Sequence, residues 1–232
     1  MGKIGIVGGL SPESTVSYYL HICRRYTQLY GNVEFPEIVI YSVCLEKYHQ
    51  WRNSNRWDLI VNDLVKAINY LEKAGADFAV IATNTMHKVL KEIKRETKLP
   101  IISIIDATIE QIKIKKIKTV GLIGTRFTMR DDFFSGELIN NGINVLTPDD
   151  EGVTMIHGII ENELVKGIIN NESRRMYQKE LKKLIAQGAE GIILGCTEIP
   201  LLIKQEACEI PVFDTAVIHA EKALQYSLEN SF

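Results

Sequence analysis

Four short polar turns hold most of the side chains in this sequence that can move a proton or grip a small anion. They are Gly8-Gly9-Leu10-Ser11, Thr83-Asn84-Thr85, Gly124-Thr125 and Gly195-Cys196-Thr197-Glu198. Each follows a short apolar run, and an open parallel sheet binds its ligands at the carboxyl ends of such strands. Cys196 stands out. It follows a glycine at a strand end and precedes Thr-Glu at the start of a predicted helix, and a helix N-terminus lowers a thiol pKa and favours the reactive thiolate. Cys23, Cys44 and Cys208 lie respectively inside the helical run YYLHICRRY, near a strand end and in a late loop, and read as structural thiols. No two cysteines are spaced as CxxC, which argues against a zinc knuckle or a redox pair. The glycines do not make a nucleotide site either. Gly5, Gly8 and Gly9 miss the G-x-G-x-x-G spacing, and no GK[ST] follows. A Gly-Gly turn instead lets backbone N–H groups approach a small anion such as a carboxylate.

The elements that must position these turns occur twice. KIGIVGG (3–9) is echoed by TVGLIGT (119–125), and LEKAGADFAVIATNTMH (71–87) aligns without a gap on LIAQGAEGIILGCTEIP (184–200). In that register Thr83 falls on Cys196, Asn84 on Thr197 and Thr85 on Glu198. LPII (99–102) resembles IPVF (210–213) with slipped spacing. An internal repeat of this kind predicts a duplicated structural unit. Short apolar runs predict strands at 3–8, 37–43, 78–82, 101–105, 119–123, 143–146, 191–194 and 211–213, of the sort buried on both faces of a parallel sheet. Helices are predicted at 12–30, 55–75, 86–97, 106–115, 128–141, 153–170, 172–188, 198–206 and 215–229. Ser11 and Pro12 suit the cap and first turn of the first helix. Strand–helix alternation throughout gives an α/β class. The expected organisation is two similar lobes, each a mostly parallel sheet flanked by helices, with residues 1–104 plus 213–232 in one and 105–212 in the other. If the lobes are related by a pseudo-twofold axis, all four turns face one cleft. The lysine-rich stretch KIKKIK (113–118) reads as a solvated connector.

Composition narrows the function classes. The 232 residues are 46% hydrophobic and 24% charged with net charge −2, ordinary for a globular protein and without the basic footprint of a nucleic-acid binder. No apolar run reaches the length of a membrane span, and the N-terminus has no signal-peptide pattern. A cytoplasmic protein with reduced thiols is expected.

The turns GGLSPEST (8–15), ATNTMH (82–87) and GCTEIP (195–200) resemble those of the aspartate/glutamate/hydantoin racemase superfamily, above all its aspartate racemase branch, and the resemblance spans essentially the whole chain. It implies a two-lobed α/β fold, a homodimer, an acidic amino acid as substrate, and catalysis without pyridoxal phosphate or metal. It also implies two acid–base groups, one per lobe, acting on opposite faces of Cα. Racemisation removes a proton from one face of a flat carbanion and returns one to the other, so a duplicated lobe with two symmetry-related groups matches the reaction. The family's first cysteine falls at position 83, where this sequence has Thr. A hydroxyl can donate or relay a proton but is a poor base at neutral pH. By resemblance, Cys196 is expected to deprotonate the L enantiomer, with Thr83 on the D side. Because the equilibrium constant of racemisation is one, this asymmetry should appear as unequal Cα–H exchange rather than as one-way turnover.

The resemblance further assigns the substrate side-chain carboxylate to Arg52, in QWRN, and places Lys166, in ELVKG, in the cleft; a bidentate Arg suits a carboxylate best. Asn84, Thr85, Thr125 and Thr197 are candidates for stabilising the developing carboxylate charge, with Gly9 and Leu10 lining the site. Glu198 and His87 sit beside the pair and can tune it. Arg56 and Arg126 are reserves, and His157 and His219 read as structural. Two other readings stay open: a single-cysteine decarboxylase or isomerase of the same superfamily, which an apolar pocket would favour, and a catalytically weak amino-acid-binding homologue.

Overall fold

In a computed structural model of the chain, residues 1–230 are described. The chain divides into two compact units, Met1–Ala107 with the chain from Ala216 onward, and Thr108–Thr215.

The first unit runs β1 (Ile4–Gly8), α1 (Pro12–Tyr30), β2 (Ile38–Ser42), α2 (Leu45–Asn53), α3 (Trp57–Lys73), β3 (Phe78–Ile81), a 3₁₀ turn at Thr85–Val89, α4 (Leu90–Glu96) and β4 (Ile101–Ile102); α5 (Ile104–Ile114) begins in it and continues into the second. Its four strands are parallel in the order β2-β1-β3-β4. Alternation along the strands splits the core in two. Val7, Ala79 and Ile81 face a cluster with Ile60, Leu64 and Leu71 of α3, whereas Ile4, Ile6, Phe78 and Val80 face Tyr18, Ile22 and Tyr26 of α1.

The second unit repeats the plan with β5 (Thr119–Gly124), α6 (Arg126–Arg130), α7 (Asp132–Asn140), β6 (Asn144–Leu146), α8 (Asp150–Asn162), α9 (Asn171–Ala186), β7 (Gly191–Gly195) and β8 (Val212–Asp214). The strand order is β6-β5-β7-β8, again all parallel and the same order as in the first sheet. Helix α10 (Thr215–Glu229) then returns the chain to the first unit, where Ala216, Ala220, Ala223 and Leu224 close the α1 side of the sheet. The sequence repeat is visible in side-chain detail. The Asp77 carboxylate accepts the Lys3 N–H at 2.6 Å, and its repeat partner Glu190 accepts the Lys118 N–H at 2.6 Å and the Thr119 N–H at 3.1 Å. An acid at the same point of each repeat thus ties down the start of the unit's first strand.

All eight predicted strands form. The helices differ in five places. Leu45–Asn53 is helical although no helix is expected there. It buries only Tyr48 and Arg52, so it has no apolar stripe to show in the sequence. The 128–141 helix is two, α6 and α7, because Asp131 is extended (φ −85, ψ 150) between them. The 153–170 helix starts at Asp150, capped by Asp149, and ends at Asn162, followed by a 3₁₀ turn at Leu164–Lys166 that Gly167 stops at φ 71. The 198–206 helix is absent: only short 3₁₀ turns stand there, at Ile199–Leu201 and Gln205–Ala207. The bonds that form, Ile199 N to Cys196 O, Leu201 N to Glu198 O and Leu202 N to Ile199 O, span three residues, and a single one, Ile203 N to Ile199 O, spans four. The 86–97 helix likewise opens with a 3₁₀ turn. Among the described residues no helix is long and apolar enough to cross a membrane.

Candidate active site

The two repeat-related turns each lead from a strand end into a 3₁₀ turn but differ in the groups they present. In the first unit, β3 ends at Ile81, and the Ala82 N–H still bonds Val7 O of β1 at 3.0 Å. Thr83 follows in a tight turn, its N–H on Ile81 O at 2.8 Å, and Asn84 starts the 3₁₀ turn. Ser14 of α1 donates to Ala82 O at 3.2 Å and holds this turn to the β1–α1 loop. Asn84 and Thr85 are buried and Thr83 is half-buried. Among the described residues, no group hydrogen-bonds the Thr83 hydroxyl, so nothing activates it as a base.

The β1–α1 loop itself is tightly constrained. Gly9 has φ 78, and a Cβ there would fall 2.6 Å from both Ser42 Oγ and Val43 N, so the position accepts only glycine. Its N–H, expected to be offered to an anion, donates instead to Thr15 Oγ1 at 2.8 Å. Ser11 caps α1 by accepting the Ser14 N–H. Leu10 is buried.

In the second unit, β5 and β7 come close at their carboxyl ends. A Cβ on Gly124 would lie 2.6 Å from Gly195 O, and one on Gly195 would lie 2.9 Å from Thr128 Cγ2. Thr125 caps α6 and meets the Thr128 hydroxyl at 3.2 Å. Cys196 shares a face of β7 with Ile192 and Leu194 and packs among Ile199, Leu202 and Tyr177, only 6% exposed. Its thiol donates to Glu198 Oε2 at 2.9 Å, and the Thr197 hydroxyl donates to Glu198 Oε1 at 2.9 Å. Glu198 is itself buried.

The expected lowering of the Cys196 pKa is overturned. Burial and then the Glu198 carboxylate push the thiol well above its ordinary value. No α-helix begins here to oppose them, because the 3₁₀ turn is a single turn. The resting group is a thiol whose proton already points at a carboxylate. Tyr177 was not singled out from sequence. Its hydroxyl donates to Ile156 O at 3.3 Å, and burial, with Cys196, Glu163 and Glu198 nearby, raises its pKa so that it stays protonated beside the thiol. Only its place in the apolar face of α9 marked it, and that signal reads as core.

The remaining candidates separate by exposure. Arg52 is buried on α2. Lys166 is exposed on its 3₁₀ turn. Arg56 is exposed and pairs with Asp58 at 2.7 Å, and Arg126 is exposed over the Phe127 ring.

The sequence profile of the Asp/Glu/hydantoin racemase family matches residues 7–223. The chain belongs to that family. It is an amino-acid racemase of this family of cofactor-independent isomerases. Its fold is similar to that of a candidate Asp/Glu racemase from Yersinia pestis, at 42% identity and TM-score 0.91 over 98% of this chain and 100% of the other. It is also similar to an aspartate racemase homologue from Pyrococcus horikoshii OT3, at 37% identity and TM-score 0.85 over the same shares. The broad specificity amino-acid racemase RacX of Bacillus subtilis is 27% identical over 230 residues, 95% of this chain and 96% of RacX.

Proposed function

We propose that this racemase interconverts the enantiomers of aspartate, glutamate or both, with Cys196 acting on the L enantiomer and Thr83 on the D side. The observation that carries the reading is the Cys196–Glu198 hydrogen bond, at the point of the second repeat that corresponds to Thr83 in the first. Proton abstraction from Cα needs a thiolate, and Glu198 is placed to accept the thiol proton as the substrate binds. The thiolate then takes the Cα proton of the L substrate, leaving a planar carbanion. A solvent proton relayed through the Thr83 hydroxyl reaches the opposite face and gives the D product, and Glu198 releases the proton it took to solvent, which restores the starting state. Carrying a thiol on one side and a hydroxyl on the other, the pair is chemically unequal.

Arg52, buried and permanently charged, is the proposed partner of the side-chain carboxylate. Lys166, Asn84, Thr85, Thr125 and Thr197 are proposed to meet the remaining polar groups of the substrate, beside Gly9 and Leu10. Glu198, proposed from sequence among the substrate contacts, is read here as the acceptor for Cys196. The enzyme is proposed to be a cytoplasmic homodimer.

Chiral chromatography of incubations with L-Asp and L-Glu tests the activity. The D enantiomer of at least one should form, and Cys196→Ala should slow its formation by a factor on the order of 10²–10⁴, the usual weight of a positioned acid–base group. Absence of both D products from the wild type contradicts the reading.

A further inference from the structure

Two histidines buried in the first unit take no part in these proton transfers, yet both grip the turn between β4 and α5. The His87 Nε2 lies 3.1 Å from the backbone N–H of Ile104. An amide N–H can only donate, so Nε2 accepts and the ring proton sits on Nδ1. From there it donates to the carbonyl of Thr83 at 2.8 Å. His219 is held in the opposite sense. Its Nε2 faces the Ile102 carbonyl at 3.0 Å and must donate, which leaves Nδ1 to accept from the Tyr18 hydroxyl at 2.8 Å. The two rings meet edge to face, 5.8 Å between centroids. Ile102 and Ile104 flank Ser103, so the pair holds both sides of one tripeptide, and all four ring nitrogens are used. Burial, with the other imidazole adding to it at His87, lowers the pKa to about 3 for His87; burial lowers that of His219 to about 4. Both stay neutral and keep these tautomers across the ordinary pH range.

We propose that His87 is a positioning residue for Thr83. Its bond to the Thr83 carbonyl sets where the Thr83 hydroxyl sits, and His219 with Tyr18 fixes the Ile102–Ile104 turn on which His87 is anchored. The proposal rests on the reading that Thr83 serves the D face. A ring present only to fill space would need neither bond, whereas this one links the reactive turn to the next strand's end through a single defined tautomer.

Two variants separate the bonds. In His87→Asn the side-chain amide N–H takes the place of Nδ1–H and keeps the bond to Thr83. In His87→Gln the side-chain oxygen takes the place of Nε2, keeping Ile104 and losing Thr83. The readout is deuterium uptake at Cα of the D and L substrates in heavy water, followed by proton NMR. His87→Gln should slow D-side uptake about tenfold or more, as displacement of a reacting group does, with L-side uptake changed by no more than about twofold. His87→Asn should keep the wild-type ratio. Equal loss on both sides, or unchanged D-side uptake in His87→Gln, overturns the proposal. Should neither variant fold, ¹⁵N NMR of the wild type decides: a protonated Nδ1 and bare Nε2 at His87, unchanged down to pH 5, is expected, and the other tautomer or a midpoint near 6.5 overturns it. D-side uptake absent from the wild type, or untouched by Thr83→Ala, would show that the role given to Thr83 fails. The positioning proposal falls with it, while the NMR result still reports on the two bonds.

Discussion

At the scale of single residues, the site turns on one hydrogen bond. The Cys196 thiol is buried against Glu198, and both burial and the carboxylate resist its ionisation. The same carboxylate is the nearest acceptor for the proton that must leave. These two roles of Glu198 oppose each other, and Glu198→Gln separates them. Removing the negative charge should lower the thiol pKa, so that the pH midpoint of Cys196 alkylation by iodoacetamide moves down. Removing the acceptor should slow racemisation at neutral pH at the same time. A variant whose alkylation midpoint is unchanged, or that racemises faster at pH 7, would deny Glu198 this part. Cys196 and Thr83 differ just as clearly in their surroundings. Thr83 has no partner on its hydroxyl among the described residues, and a hydroxyl without an acceptor is suited to passing a proton on rather than taking one from carbon.

At the scale of elements, the buried histidines couple the β3 turn to the β4 end and tie stability to pH. Their folded pKa values, about 3 and about 4, lie below the unfolded value of 6.5. The unfolded chain therefore binds more protons as pH falls below 6.5. The stability these rings contribute is complete above that value and is lost as pH drops towards 4 and then 3. Two such groups give a slope of up to about 3 kcal/mol per pH unit between pH 6 and 4. Urea unfolding at a series of pH values should show that loss, and the slope should become shallower in His219→Gln. A stability flat from pH 7 to 4 would contradict it.

The elements also show where sequence is informative. The strands were legible because each is a short apolar run, and β1, β3 and β7 are buried along their whole length. The duplication was legible because the strands, the turns and the same strand-anchoring acid, Asp77 and Glu190, recur in both halves. Helix α2 was not, since Leu45–Asn53 buries two side chains and shows no stripe. The turn after Cys196 was misread because apolar residues at 199, 202 and 203 imitate a helix, while the bonds that form there are mostly three-residue ones. The expected direction of the thiol pKa failed with it, because burial and the Glu198 carboxylate act on the thiol with no helix N-terminus to oppose them. Thr83 and Cys196 as paired positions were visible from the repeat alone. The bonds that set their behaviour, Cys196 to Glu198 and His87 to Thr83, depend on side-chain rotamers and on contacts up to 17 residues apart, which no spacing rule encodes.

At the scale of the whole molecule, two units of the same strand order carry the two residues of the proposed acid–base pair, and the first unit also carries exposed apolar side chains on α1 and β2. Val16, Tyr19, Leu20, Ile40 and Tyr41 are each more than a third exposed, which suits a surface covered by another copy of the chain. Light scattering should give twice the 26.3 kDa chain mass, and a single-chain mass at micromolar concentration would count against the homodimer. The central claim, an unequal pair acting on one carbon, is tested most directly by the Cα proton itself. In heavy water the wild type should exchange the Cα proton of L-Asp or L-Glu faster than that of the D form. Cys196→Ala should abolish L-side exchange, and Thr83→Ala should slow the D side while sparing the L side. L-side exchange that survives Cys196→Ala would contradict the account.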